Sequence, residues 1–244
     1  MEEINDLVGI KGLKIYQNNN WFKFSLESVL LPNFVTINLR FKKILDLCTG
    51  NAPIPLILST RTKAFITGVE IQKDVAELAI KSIKINKLDN QIKIINDNLN
   101  NLKEKYSGDN FDLITVNPPY FPNLPKSLKN DDCHKTLSRH EITTTLDDIF
   151  KISVYLLKNG GYFAMVHRTE RFIEIIEKLN KYNLIPKRIR FIYPKKNSKS
   201  NLFMIECIKN GKKDVNIEDP LYVHNLDGTY TLEVEKIFNI KEGE

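Results

Sequence analysis

Short apolar runs rich in β-formers alternate with longer runs of helical periodicity between residues 43 and 167. The first apolar run, residues 43–48, ends at a turn, and residues 53–60 then form a helix-like segment that begins with a proline. Alternation of this kind is typical of βαβ units, in which crossover helices join parallel strands. We therefore expect an α/β fold with a mostly parallel, seven-stranded sheet and helices on both of its faces.

Two strand-like runs near the end of this region, 188–193 and 202–208, follow each other with no helical pattern between them. Consecutive strands pair as antiparallel hairpins, so we expect this hairpin to place one antiparallel strand in the sheet. We expect three parts: an N-terminal extension packed on the core (1–42), an α/β domain (43–210) and a C-terminal tail with a short helix (211–244).

The composition is that of a globular chain, with 42% hydrophobic and 27% charged residues. No apolar run approaches the roughly 20 residues of a membrane-spanning helix, and the acidic first residues are unlike a secretory signal. Cys48, Cys133 and Cys207 form no C-x-x-C pair, and His134 and His140 have no further ligand at a recognisable spacing. We therefore expect a cytoplasmic protein with reduced thiols, no metal site, no membrane contact and no obligate protein partner.

Polar side chains follow three successive strands of the expected sheet. Residues 46–51 end the first strand, Glu70 ends the second and Asp97 follows the third. Open α/β sheets bind ligands at these carboxyl ends, where a carboxylate such as Glu70 can accept hydrogen bonds from a ribose diol. The first turn has only Gly50 in place of the G-x-G-x-x-G that a pyrophosphate requires.

A nicotinamide dinucleotide is therefore disfavoured, and a nucleoside that carries a charged amino-acid end fits better. S-adenosylmethionine is such a molecule, with S-adenosylhomocysteine as its product. The candidate cofactor residues are Asp46, Cys48, Thr49, Gly50, Asn51, Glu70, Ile71, Asp97, Asn98, Leu99 and Asn117.

The fourth strand ends in Asn117-Pro118-Pro119-Tyr120, next to the expected cofactor position. An exocyclic amino group such as adenine N6 is a poor nucleophile because its lone pair is delocalised into the ring. Two acceptors, the Asn117 side-chain oxygen and the Pro118 carbonyl, can draw that nitrogen towards sp³ geometry. The prolines stiffen the loop, and Tyr120 offers a face on which a base can stack. These four residues are the candidate catalytic residues.

These motifs together resemble the Rossmann-like class I S-adenosylmethionine-dependent methyltransferases that methylate amino groups. Residues 22–31, 139–141 and 185–195 narrow the resemblance to the bacterial tRNA1(Val) adenine-N6 methyltransferase family, over about residues 9–238. The resemblance implies that the 43–210 domain is a methyltransferase domain acting on adenosine 37, beside the anticodon. Cys48 and Ala52 depart from the family, which usually has glycines there, and a bulkier turn would reduce cofactor affinity.

A tRNA partner, contacted in its anticodon region, agrees with the net charge of +6, although a lysine-rich surface without a partner would give the same charge. Phosphate contacts also suit the basic run that begins at Lys187, where a solvated strand face is the alternative. The candidate RNA-contacting residues are Arg139, His140, His167, Arg168, Lys187, Arg188, Arg190, Lys195 and Lys196.

Three other functions share parts of this pattern. Protein glutamine-amide methyltransferases also use an NPPY motif, but they usually carry a substantial helical domain before the first strand. DNA adenine methyltransferases need a large target-recognition domain, for which this length leaves no room. A non-catalytic RNA-binding protein could use the same fold as a scaffold, but the intact NPPY motif argues against it.

Overall fold

The computed structural model describes residues 2–8, 10, 12–18, 25–119 and 144–239. The strands are β1 (Glu2–Asp6), β2 (Lys14–Asn18), β3 (Lys43–Leu47), β4 (Phe65–Glu70), β5 (Ile92–Asn96), β6 (Phe111–Val116), β7 (Leu157–Arg168), β8 (Leu184–Lys195), β9 (Leu202–Lys209), β10 (Asn216–Ile217) and β11 (Leu221–His224). The helices are α1 (Leu26–Phe34), α2 (Pro53–Arg61), α3 (Lys73–Ile85), α4 (Leu102–Lys105), α5 (Leu146–Leu156), α6 (Phe172–Lys181) and α7 (Leu232–Ile237).

Nine strands form the main sheet within the described part of the chain, in the order β10-β8-β9-β7-β6-β3-β4-β5, with β11 also paired to β8. Strands β3 to β7 are mutually parallel, and β9 is antiparallel to both of its neighbours, β7 and β8. The α/β fold, its seven expected strands and the antiparallel strand of the hairpin are therefore confirmed. The sequence does not predict β10 and β11, two short strands of the tail that extend the sheet along β8.

Local sequence explains where two of the helices begin. Pro53 occupies the first turn of α2. The N–H groups of a first turn have no acceptor within the helix, so the N–H that proline lacks is not needed there. Thr145 and Asp148 form a reciprocal capping box at the start of α5.

Each face of the sheet carries its own hydrophobic core. Side chains of α1, α2, α3 and α7 pack on one face, and those of α4, α5 and α6 pack on the other. Layers of this kind leave open the side of the sheet where the parallel strands have their carboxyl ends. The candidate site lies on that side. None of the described helices is long and apolar enough to cross a membrane.

The antiparallel hairpin of β1 and β2 is also absent from the sequence-based expectations. Side chains of the core satisfy backbone groups of β2: Ser82 accepts from the Tyr16 N–H, and Asn86 bonds to both backbone groups of Lys14. Asn51, in the turn after β3, donates to the Tyr16 carbonyl at 2.8 Å. The hairpin is thereby fixed against α3 and against the candidate cofactor turn.

Candidate functional site

The turn between β3 and α2 has three residues in the left-handed backbone region. Their φ angles are +56° at Cys48, +57° at Gly50 and +71° at Ala52. Glycine adopts this region freely, whereas a side chain adds a cost of about 1–2 kcal/mol per residue. Cys48 and Ala52 therefore keep a backbone shape that suits glycine.

Asp46 lies behind this turn with no exposed surface. Its two carboxylate oxygens accept hydrogen bonds from the hydroxyls of Thr49 and Thr115, each at 2.6 Å. Burial raises the pKa of Asp46 to about 7, in spite of these two bonds. We correct the expectation of direct cofactor contact at Asp46, because a carboxylate with no exposed surface shapes the turn from within.

Glu70 ends β4 beside the turn and is nearly buried. One carboxylate oxygen accepts from the Gly50 N–H at 3.0 Å, and the other accepts from the Gln72 N–H at 2.9 Å. A Cβ added at Gly50 would meet no described atom within 4 Å, so the turn faces open space at this point. The exposed side chain of Ile71 follows Glu70 at the same edge.

Asp97 follows β5 and is bonded by its own loop. One of its oxygens accepts from the Asn98 N–H and from the Asn101 side chain, both at 2.7 Å, and Lys105 forms an ion pair with the other. The hydrogen bonds from Lys105 and Asn101 lower the pKa of Asp97. Asn98 caps the next turn by accepting from the Asn100 N–H, and Leu99 is buried.

Asn117 directly follows β6, at the same edge of the sheet as Glu70. Since β3 and β4 are the next two strands, the spacing of a sheet puts their ends within about 10 Å of each other. The Asn117 side-chain nitrogen donates to the hydroxyl of Ser28, on α1, at 3.1 Å. Pro118 is buried and Pro119 exposed. Tyr120, Arg139 and His140 lie outside the described residues.

Three of the basic residues predicted to contact RNA are paired within the chain. Lys187 pairs with Asp214, Arg188 with Glu206 and Glu218, and Arg190 with Glu233. The Arg188 guanidinium also lies 4.4 Å from the centre of the Phe34 ring. These side chains attach the tail and α1 to β8, so carboxylates of the chain already pair with their charges, and RNA contact at these three residues stays a prediction.

Lys195 and Lys196 are placed differently: Lys195 is the exposed last residue of β8, and Lys196 begins the exposed turn that leads to β9. The pairing of Ile192 with Leu202, and of Leu202 with Arg168, puts this turn at the edge where β7 ends. The turn therefore lies at the same edge of the sheet as Asn117.

His167 is buried, with 1% of its surface exposed, near the end of β7. Burial, followed by the nearby charge of Arg171, lowers its pKa to about 4, and its Nδ1 accepts from the Arg168 N–H at 2.8 Å. The expectation that His167 contacts RNA directly is therefore corrected. The next residue, Arg168, is exposed and remains a candidate. Among the described residues, no group of three or more His, Cys, Asp or Glu side chains could hold a metal.

Ser28 is the site residue to which the sequence assigned no role. Ser28 belongs to the run 22–31, which contributes to the family resemblance. A serine in a helix, however, does not indicate that its hydroxyl bonds to Asn117, 89 residues away.

Comparison with known proteins finds relatives along most of the chain. A tRNA1(Val) (adenine(37)-N6)-methyltransferase of Parabacteroides distasonis is 28% identical, over 83% of each chain. One of Pedobacter heparinus is 26% identical, over 91% of each chain. These relatives confirm the resemblance that the motifs indicate.

The fold has a neighbour in the crystal structure of an O-methyltransferase, described as a predicted one, from Agrobacterium tumefaciens. It has a TM-score of 0.69 and 19% identity, and the match covers 87% of this chain and 95% of that one. The Streptomyces coelicolor geranyl diphosphate C-methyltransferase, crystallised with S-adenosyl-L-homocysteine, has a TM-score of 0.57 at 10% identity, over 75% and 76% of the two chains. A family model described as a methyltransferase domain matches residues 40–220, which is most of the chain, and the protein therefore belongs to that methyltransferase family.

Proposed function

We propose that this protein transfers a methyl group from S-adenosylmethionine to N6 of adenosine 37 in a tRNA of the tRNA1(Val) type. The observation that carries the proposal is the position of Asn117, which follows β6 beside the cofactor turn with its amide held by Ser28. The names of the relatives supply the substrate. A tRNA substrate also agrees with a cytoplasmic location.

The residues at the turn fit S-adenosylmethionine. Gly50 faces open space, and a carboxylate, Glu70, stands directly beside it. The lone pairs of Glu70 that Gly50 and Gln72 do not use can accept from ribose hydroxyls, and Ile71 offers an apolar surface to a purine. Thr49, Asn51, Asn98 and Leu99 shape the walls, and Cys48 contributes its backbone. When bound, the cofactor supplies an electrophilic methyl group.

The chain's own contribution to the chemistry is to bind and orient the amino group. The side-chain oxygen of Asn117 and the carbonyl of Pro118 are two acceptors fixed at the end of a strand, as the reaction at a planar nitrogen requires. Acceptors that are already in place favour the pyramidal geometry, in which the nitrogen lone pair is localised and no longer delocalised into the ring. Tyr120 would stack on the base. No strong general base is needed, because the amino proton becomes acidic once the nitrogen is methylated.

The RNA surface that we propose is the exposed turn at Lys195 and Lys196, together with Arg168, Arg139 and His140. The described members lie at the edge of the sheet that carries Asn117. A base that enters the pocket must leave its stack, and its neighbouring phosphates then need to be held nearby.

Nucleoside mass spectrometry tests this function. Unmodified total tRNA is incubated with the protein and isotope-labelled S-adenosylmethionine. One part is digested to nucleosides, another is cut by a base-specific ribonuclease into fragments that locate the label, and Asn117→Ala is the matched inactive variant. Labelled N6-methyladenosine at position 37 of one tRNA is expected with the wild type only. Label at another tRNA position, or no label in any nucleoside, would contradict the proposal.

A further inference from the structure

We propose that Ser28 is a positioning residue that sets the orientation of the Asn117 side-chain amide. This inference rests on the proposed function, because it concerns the group that receives the substrate amino nitrogen. The amide has an acceptor end and a donor end of nearly equal shape, and only the oxygen can accept from an amino group. The Asn117 nitrogen donates to the Ser28 hydroxyl at 3.1 Å, so the oxygen lies on the other branch of the planar amide.

The Ser28 hydroxyl must accept from Asn117 for this bond to select one orientation, because a hydroxyl can also donate. A second serine of the same helix turn, Ser25, places its hydroxyl oxygen 3.5 Å from that of Ser28. We assign the donor role in this contact to Ser28. The lone pairs of Ser28 then face Asn117, and only the amide nitrogen can complete the bond.

Helix α1 provides a rigid base for Ser28. Two residues after the helix end, Thr36 donates from its N–H and its hydroxyl to the buried carboxylate of Glu206, at 2.6 Å and 2.7 Å. Arg61 donates to the carbonyls of Pro32 and Val35, and Arg188 donates to the carbonyl of Phe34. Ser28 itself is buried, so its hydroxyl has little freedom to turn towards water.

A purely structural contact would also hold Asn117 in place, and the two roles differ in what they change. A structural bond stabilises the fold and acts on every measured property together. A bond that selects the amide orientation acts on the methylation step, and leaves the affinity for S-adenosylmethionine and for tRNA unchanged.

The first experiment compares single-turnover methylation rates of the wild type, Ser28→Ala and Ser28→Thr. We expect Ser28→Ala to lower the rate roughly five- to tenfold, the effect of one neutral hydrogen bond, with both dissociation constants unchanged. Ser28→Thr keeps the hydroxyl and is expected to retain most of the rate. Ser59→Ala, which removes a buried hydroxyl at the far end of α2, is the matched control and is expected to keep the wild-type rate.

The second experiment repeats Ser28→Ala in an Asn117→Asp background. A carboxylate has two equivalent oxygens, so it has no wrong orientation to be excluded. The loss caused by Ser28→Ala should therefore shrink to less than twofold in that background. An equal loss in both backgrounds, or a wild-type rate for Ser28→Ala with Asn117 present, would overturn the proposed role of Ser28.

The third experiment needs no activity. The Asn117 side-chain NH₂ signals, assigned by their loss in Asn117→Asp, are compared between the wild type and Ser28→Ala by ¹⁵N NMR. We expect the donating proton to exchange at least fivefold faster in Ser28→Ala, and an unchanged exchange rate would contradict the inference. If the wild type methylates no tRNA but shows this protection, the proposed function fails while the orientation of the amide by Ser28 stands.

Discussion

The carboxylate of Asp46, in β3, accepts a 2.6 Å hydrogen bond from the hydroxyl of Thr115, in the neighbouring strand β6. Its other oxygen accepts from Thr49, in the turn that follows β3. Thr115 precedes Asn117 by two residues. One buried side chain thus joins the turn proposed to hold the cofactor to the strand that carries the proposed acceptor of the substrate.

Asp46 gives the stability of the protein a defined pH dependence. Its pKa in the folded protein, about 7, is above the ordinary 3.8, so the folded state holds the extra proton between these values. This contribution is fully present below about pH 4 and is lost as the pH rises through about 7, at up to about 1.4 kcal/mol per pH unit. Denaturant unfolding measured from pH 4 to 8 checks this against Asp46→Asn. Equal pH slopes for the two proteins would contradict the prediction.

Gly68→Ala is expected to destabilise the turn after β3. A Cβ at position 68 would lie 2.8 Å from the Thr49 hydroxyl oxygen and 2.9 Å from Cδ1 of Ile94, so Thr49 must move away from Asp46. Overpacking of this kind costs about 1–3 kcal/mol. Urea unfolding measures the change. Gly108→Ala is the control, because the atom nearest to its added Cβ would lie at 3.3 Å. An equal loss of unfolding free energy in the two variants would contradict the prediction for Gly68.

Ala52→Gly tests the strain in the same turn. Glycine relieves about 1–2 kcal/mol of left-handed strain, which offsets its own loss of about 0.5–1 kcal/mol in chain entropy and the loss of a buried methyl group. We expect the free energy of unfolding to change by less than about 1 kcal/mol. Ala79→Gly, equally buried but within α3, has no strain to relieve and is expected to lose at least about 1 kcal/mol more. Equal losses in the two variants would show that Ala52 is unstrained.

Glu70→Ala is expected to weaken S-adenosylmethionine binding by about 1.5–3 kcal/mol, the range for hydrogen bonds to a charged group. The variant removes the acceptor proposed for the ribose and also releases the N–H of Gly50, which belongs to the turn. Isothermal titration calorimetry measures the change. Glu77→Ala, an exposed carboxylate on α3, is the control. Wild-type affinity in folded Glu70→Ala would remove Glu70 from the proposed site.

The double substitution Lys195→Ala, Lys196→Ala is expected to weaken tRNA binding at moderate salt and to leave S-adenosylmethionine affinity unchanged. Each phosphate contact that is lost should flatten the slope of log K against log[salt] by roughly 0.7–0.9. Filter binding at several salt concentrations gives this slope. Lys63→Ala, Lys93→Ala removes two exposed lysines near the other ends of the strands and serves as the control. Equal slopes for the two double variants would leave the turn as a solvated surface.

The parallel strands and the residues at their carboxyl ends could be predicted because their signals are local. An apolar run of five or six residues, a following turn and a helical period decide where β3, β4 and β6 end, and hence where Glu70 and Asn117 stand. The sequence marks Cys48 and Ala52 only as departures from the glycines of the family, and the structure shows that both have a left-handed backbone.

Contacts between distant segments needed the tertiary structure. From the sequence, Arg188 and Arg190 are interpreted as part of a basic surface. The carboxylates that pair with them come from β9 and from the tail beyond residue 211, and only the fold brings these together. His167 read as a polar residue at a strand end, but packing buries it. The hydrogen bond between Ser28 and Asn117 joins residues 89 positions apart, and no pattern in either segment predicts it. Hydrophobic periodicity and turn residues act over a few positions, so the sequence alone determines them. The pairing of side chains across the fold depends on which surfaces the packed helices and strands bring together, so only the tertiary structure decides it.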